Sequence, residues 1–257
     1  MRSPQPLPPR PLSPVQANDI PSPVFGYEFK NIRLLADTYA AAGFMAYIPD
    51  VHEGDSIDPS FLQTVEPPLP TRESMSMTEK AASTAKTGAT LGPWLVTHRE
   101  GVARPLIENF IDKVRFIPGT DKVGTIGFCW GGRYAILAAQ KGFSFGEGKG
   151  VDAAYACHPS LVSIPSDFEG LTVPVSLALG DSDSLLGEKE VGQIQDLLGR
   201  SKEGLDGGAP AVETEVKVYE GQVHGFALRG DWSSEADKKA MDQATQQGIA
   251  WFKKHLA

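Results

Sequence analysis

The chain has 257 residues, of which 41% are hydrophobic and 22% charged, so it carries the apolar material for a globular core and is not disordered by composition. Its 24 basic and 32 acidic side chains leave a formal charge of −8, which argues against nucleic acid or an anionic membrane surface as a partner. No apolar run approaches the roughly 20 residues of a membrane span, the N-terminal MRSPQPLPPRPLSPVQ lacks the apolar stretch of a secretory signal, and two cysteines, Cys129 and Cys157, cannot build a disulfide framework; a cytoplasmic protein is the expectation.

Eight of the 20 prolines fall in the first 25 residues. Proline fixes φ and removes a backbone donor, so residues 1–17 are expected to form a flexible, polyproline-like tail ahead of one domain over 18–257. Next, NIRLLADTYAAAG places Ile32, Leu35, Tyr39 and Ala42 at helical spacing and stops at Gly43. FMAYIP is an apolar run of strand length closed by Pro49. Residues 50–70 read as loop, with Pro59, Pro67, Pro68 and Pro70, and 72–86 and 101–115 read as helices. VGTIGF (123–128) is a buried strand followed by a helix over 132–140. Three more strands are expected at 151–157, 173–179 and 214–220, a helix at 185–200, and an amphipathic helix from about Ser234 to His255. This alternation predicts an α/β fold, a mostly parallel sheet with helices on both faces.

The sharpest chemical signal is Gly127-Phe128-Cys129-Trp130-Gly131-Gly132, set between an apolar strand and a helix. A G-x-nucleophile-x-G turn in that context is a nucleophile elbow: small neighbours let the chain turn sharply and project the nucleophile above the sheet edge. At a helix N-terminus the macrodipole favours a thiolate, and the Trp130 N–H points where an oxyanion would form. A buried structural cysteine is the plain alternative. A thiol nucleophile needs a base, and the base an orienting acid. The loop after 173–179 reads Gly180-Asp181-Ser182-Asp183, with Asp183 the preferred acid and Asp181 second. The loop after 214–220 offers His224, one of five histidines, while His158 reads as a loop residue near the pocket. Both loops follow the carboxyl ends of predicted strands, where sites in open α/β sheets lie. A metal reading of Asp50-Val51-His52-Glu53 fails because the position four residues after His52 is Ser56.

GFCWGG, the G-x-x-D turn and the VHGF loop together resemble the dienelactone hydrolase family of α/β-hydrolases, as does FGYEFKNIRLLADTYAAAGFMAYIPDVHEGD upstream; the resemblance covers roughly residues 24–257. It implies a three-layer α/β-hydrolase sandwich that hydrolyses a small carboxylic ester or lactone through a thioester, with no cofactor and no metal. By motif position Cys129 is the nucleophile, Asp183 the orienting acid and His224 the base. The oxyanion hole would combine the backbone of Trp130 and Val24, and Arg229 and Phe226 would meet the substrate.

The chain departs from the family at its start. VQANDIPSPVFG is proline-broken and too polar for a central strand, and Pro23 stands where bacterial members place a glutamate beside the thiol. The expectation is a sheet lacking the usual N-terminal strands, with a displaced second oxyanion donor and an open edge that leaves monomer or homodimer undecided. It keeps alive a second reading, a catalytically impaired α/β-hydrolase-fold protein that binds or scaffolds. A redox role for Cys129 would need Cys157 as its resolving thiol.

Overall fold

The computed structural model describes residues 15–19, 25–61, 67, 69–143, 150–205, 211–229 and 234–257. Its strands are β1 (Val15–Asp19), β2 (Met45–Tyr47), β3 (Thr120–Phe128), β4 (Ala153–Cys157), β5 (Val175–Gly180) and β6 (Thr214–Tyr219). Its helices are α1 (Lys30–Ala41), α2 (Leu69–Ser74), α3 (Met77–Thr97), α4 (Glu100–Arg115), α5 (Trp130–Ala138), α6 (Glu188–Lys202), the short α7 (Phe226–Arg229) and α8 (Glu235–Leu256). The strands form one sheet in the order β2-β1-β3-β4-β5-β6, every pair parallel. No helix among the described residues is long and apolar enough to cross a membrane.

β1 corrects two expectations. Val15, Gln16 and Ala17 belong to a strand and not to a tail, and that strand is internal, paired to β2 through Ala17↔Met45 and to β3 through Asp19↔Thr125. The physical reason is position: Pro21 and Pro23 follow the strand, so no proline interrupts its ladder. Pairing on both edges satisfies the backbone whatever the apolar pattern. Residues 1–14, the rest of the expected tail, lie outside the described residues.

The central strands show why both faces are covered. Along β4, Ala153, Tyr155 and Cys157 join a core with α1 and α8, whereas Ala154 and Ala156 join one with α5 and α6. The period of two sends alternate side chains to opposite layers. α8 lies close to the sheet because Gly248 has no Cβ: one built there would come within 2.1 Å of the Tyr39 hydroxyl and 2.5 Å of the Tyr155 ring. On the other face α4 lays Ile107, Ile111 and Val114 against Val123, Trp130 and Tyr134.

The stretch 72–97 differs from the helix expected over 72–86. A capping box at Ser76 and Glu79 starts α3, with Ser76 N–H donating to Glu79 at 2.8 Å, and the helix runs to Thr97 through Pro93. Trp94 is its one buried residue among those described, so most of α3 faces solvent and shows little apolar period.

Candidate active site

The register levels the carboxyl ends of four strands: Phe128 pairs with Cys157, Cys157 with Ala178, and Gly180 with Tyr219. The next residues of each strand therefore meet in one place, although they are far apart in sequence.

Cys129 follows β3 and precedes α5, at φ 53° and ψ −122°. A non-glycine residue in this region carries strain of about 1–3 kcal/mol and needs its surroundings to hold it. The surroundings do. A Cβ on Gly127 would fall 2.1 Å from the Gly131 carbonyl oxygen, and one on Gly132 would fall 3.0 Å from Pro159 Cα. The Cys129 carbonyl accepts from Gly132 N–H and Ser160 N–H, each at 3.0 Å. Its own N–H faces the Cys157 carbonyl and His158 Nδ1, both at 3.3 Å.

His224 comes from the loop after β6, and its Nε2 lies 3.1 Å from Cys129 Sγ. Its Nδ1 lies 2.9 Å from Asp183 Oδ2, in the loop after β5. His224 is 2% and Asp183 5% exposed. The other oxygen of Asp183 accepts from Leu185 N–H at 2.8 Å, which fixes the carboxylate plane. Asp181 is turned away: its carboxylate accepts from Gly221 N–H at 2.8 Å and braces the two loops. The structure thus brings Cys129, His224 and Asp183 together and leaves Asp181 as a turn residue.

Burial raises the pKa of the Cys129 thiol. It is outweighed by the charge and hydrogen bond of His224, with smaller help from the Ser160 hydroxyl and the Trp130 N–H, so the thiol titrates below its ordinary value. Burial also disfavours charge on His224, yet the sulfur on one side and Asp183 on the other raise its pKa well above the usual histidine value. Both shifts favour moving the proton from Cys129 Sγ toward His224 Nε2.

The remaining expected site residues fall as follows. The Trp130 N–H points at the sulfur, while its indole packs 5.1 Å from His52 and 5.5 Å from Trp94. Val24 lies outside the described residues; Phe25 beside it is buried in the cluster that holds Trp130. Arg229 turns its Nε–H back to the His224 carbonyl at 2.9 Å, so it braces the histidine loop. Phe226, a candidate substrate contact in the sequence, is a core residue, its ring centre 5.0 Å from that of Tyr219 in a tilted pair and 5.7 Å from that of His158 edge to face.

His158 is more closely engaged than a loop residue near a pocket. It is buried at φ 37°, with its ring centre 5.2 Å from that of His224. Burial, then the charges of His224 and Arg229, hold its pKa well below the usual value, so it is neutral. Ser160 escapes a reading of the sequence, yet its Oγ lies 3.5 Å from Cys129 Sγ. The one sequence signal is its place just past a strand end, in the loop beside the elbow. Cys157 packs on the opposite layer with Tyr155, and burial pushes its thiol up to about 12, which removes it as a reactive partner. No group of three or more metal-ligating side chains occurs among the described residues.

The sequence matches the dienelactone hydrolase family over residues 19–256. It is 24% identical over 235 residues to the hydrolase pyvD of Aspergillus violaceofuscus, covering 91% of this chain and 79% of that protein. It is 25% identical over 235 residues to the human carboxymethylenebutenolidase homolog, covering 91% and 80%. Among solved structures, a dienelactone hydrolase-like promiscuous phosphotriesterase from metagenomic libraries aligns with a TM-score of 0.62 at 18% identity, covering 96% of this chain and 88% of that one. The dienelactone hydrolase from Anabaena variabilis aligns with a TM-score of 0.59 at 14% identity, covering 95% and 87%. With the parallel sheet and its match from Asp19 almost to the C-terminus, the chain belongs to the dienelactone hydrolase family, a hydrolase built on the α/β-hydrolase fold.

Proposed function

We propose that the protein hydrolyses small carboxylic esters or lactones with Cys129 as nucleophile, His224 as acid–base and Asp183 as the group that orients it. The observation that carries this reading is the unbroken chain from Asp183 Oδ2 through His224 to Cys129 Sγ, at 2.9 and 3.1 Å. Asp183 Oδ2 accepts a hydrogen bond from His224 Nδ1–H, which leaves Nε2 facing the sulfur. In the resting state that proton-bearing Nε2 faces a thiolate.

The thiolate attacks the carbonyl carbon, and the carbonyl π pair moves onto oxygen, where the Trp130 N–H can receive it. Collapse breaks the carbon–oxygen ester bond, and His224 Nε2 gives its proton to the departing alkoxide. A lactone opens in this step and stays attached as the acyl group of a thioester. Water then loses a proton to His224 and attacks the thioester carbonyl. The second collapse releases a carboxylic acid and returns the thiolate–imidazolium pair. The second oxyanion donor expected at Val24 belongs to a residue outside those described.

A purely binding role draws its motive from a missing central strand, and β1 occupies that place. The test is p-nitrophenyl acetate hydrolysis by the purified chain beside Cys129→Ala. A pre-steady-state burst with one acetyl group on Cys129 by mass spectrometry is expected, and the variant should lose about 10³-fold or more in kcat. Undiminished turnover in Cys129→Ala would reject Cys129 as nucleophile.

A further inference from the structure

We propose that the Ser160 hydroxyl is a further catalytic group: it donates a hydrogen bond to the resting Cys129 thiolate and, with the Trp130 N–H and the His224 Nε2–H, completes a three-donor cradle around the sulfur. The proposal rests on Cys129 being the nucleophile of the reading above.

Ser160 Oγ lies 3.5 Å from Sγ, and the hydroxyl makes no other hydrogen bond among the described residues. Either atom could donate in a neutral thiol. With the shared proton on His224 Nε2, 3.1 Å away, the sulfur has none to give, so the hydroxyl is the donor. The side chain is 5% exposed, which keeps competing water from the contact.

The backbone holds the hydroxyl in place from both sides. His158 N–H donates to Ala178 of β5 at 2.7 Å, Pro159 packs on Gly132, and Ser160 N–H donates to the Cys129 carbonyl at 3.0 Å. The loop after β4 is thereby clamped between the neighbouring strand and the elbow. Among the described residues, the titratable and charged groups around the sulfur are His224, with Asp183 and Arg229 behind it, and His158. His158 receives the Cys129 N–H at Nδ1 and is neutral there, so it offers the thiolate no charge. Ser160 therefore supplies a donor that no other side chain except His224 provides among the described residues. In the cycle its hold is on the sulfur while it is anionic, as attacking thiolate and as the thiolate released in deacylation, and not on the neutral thioester.

The test is alkylation of Cys129 by iodoacetamide in the full-length chain, followed by mass spectrometry from about pH 4 to about pH 9, with buried Cys157 as internal control. Ser160→Ala and Ser160→Val are expected to raise the midpoint of the rate–pH curve by about one pH unit and to slow alkylation on its acid side about tenfold. Ser160→Thr, matched in volume to Ser160→Val but keeping the hydroxyl, should restore the wild-type midpoint. Cooperative thermal unfolding is checked for each; Ser160→Ala deletes only the hydroxyl and carries the comparison if the larger side chains disturb packing. The same midpoint in Ser160→Ala as in wild type, with wild type titrating low, overturns the role of Ser160 alone. A wild-type midpoint at the ordinary thiol value of about 8.5 overturns both the cradle and the thiolate on which it rests. A low, Ser160-dependent midpoint without ester turnover supports the cradle while rejecting the hydrolase reading.

Discussion

In the turn after β5, two carboxylates stand two residues apart and serve different partners. Asp183 faces the His224 ring, and Asp181 holds the Gly221 backbone. Asp183→Asn is therefore expected to lower kcat by roughly 10³- to 10⁴-fold, and Asp181→Asn by less than about threefold. The pH profile separates them further. The thiolate is lost as pH falls through the lowered Cys129 value, which places the acid limb below the ordinary thiol pKa of about 8.5. The imidazolium is lost as pH rises through the raised His224 value, which places the alkaline limb above the usual histidine pKa of about 6.5. Asp183 is one of the charges that raise His224, so in Asp183→Asn the alkaline limb of the residual rate should move down, and in Asp181→Asn it should stay. That Cys129, His224 and Asp183 would meet was legible because strand, elbow and strand-end loops each carry a local pattern. Ser160 and the inward turn of Phe226 were not, since both depend on which loops the sheet brings together across long stretches of chain.

At the scale of elements, intrinsic propensity and packing conflict in the helices, and magnitudes decide between them. Replacing glycine by alanine inside a helix gains about 1 kcal/mol of propensity. On α6, where a Cβ at Gly192 meets nothing within 4 Å, that gain should appear as a stabilisation of about 0.5–1 kcal/mol. At Gly248 of α8 the Cβ would sit 2.5 Å from the Tyr155 ring, which is fully buried and tethered by its hydroxyl to the Ala244 carbonyl at 2.7 Å. Overpacking of this kind costs about 1–3 kcal/mol or more and exceeds the propensity gain, so Gly248→Ala should be destabilised while Gly192→Ala is not. Urea denaturation of both variants measures the two signs. Most elements could be read from periodicity because most are half buried. α3 could not: its exposed faces leave little apolar pattern, and Pro93 and two glycines (Gly88, Gly92) read as punctuation, though the Ser76 and Glu79 capping signature was present.

For the whole molecule, the site exists because the sheet is continuous. His224 and Cys129 are 95 residues apart and meet only because four parallel strands keep their ends level. β1 extends that continuity to the other side of the elbow. It joins β2 to β3, and beyond these strands Phe25, Val51 and Trp94 pack with Trp130, the residue whose N–H faces the sulfur. Its polar sequence hid it, because an internal strand can be held by backbone pairing on both edges and need not announce itself by alternation. Ala17, paired with Met45 on one side and Val123 on the other, is the position that tests this. Ala17→Pro removes a backbone donor from a strand paired on both edges, at an expected cost of about 1–3 kcal/mol. For a chain of this size that lowers Tm by roughly 2–12 °C in scanning calorimetry. Iodoacetamide labelling of Cys129 should change with it, because loosening β1 frees the cluster behind Trp130 and relaxes the strained elbow that the cluster supports. An unchanged Tm would remove β1 from the sheet and return the chain to one with a gap between β2 and β3, in which the Trp130 side of the elbow would have no backing.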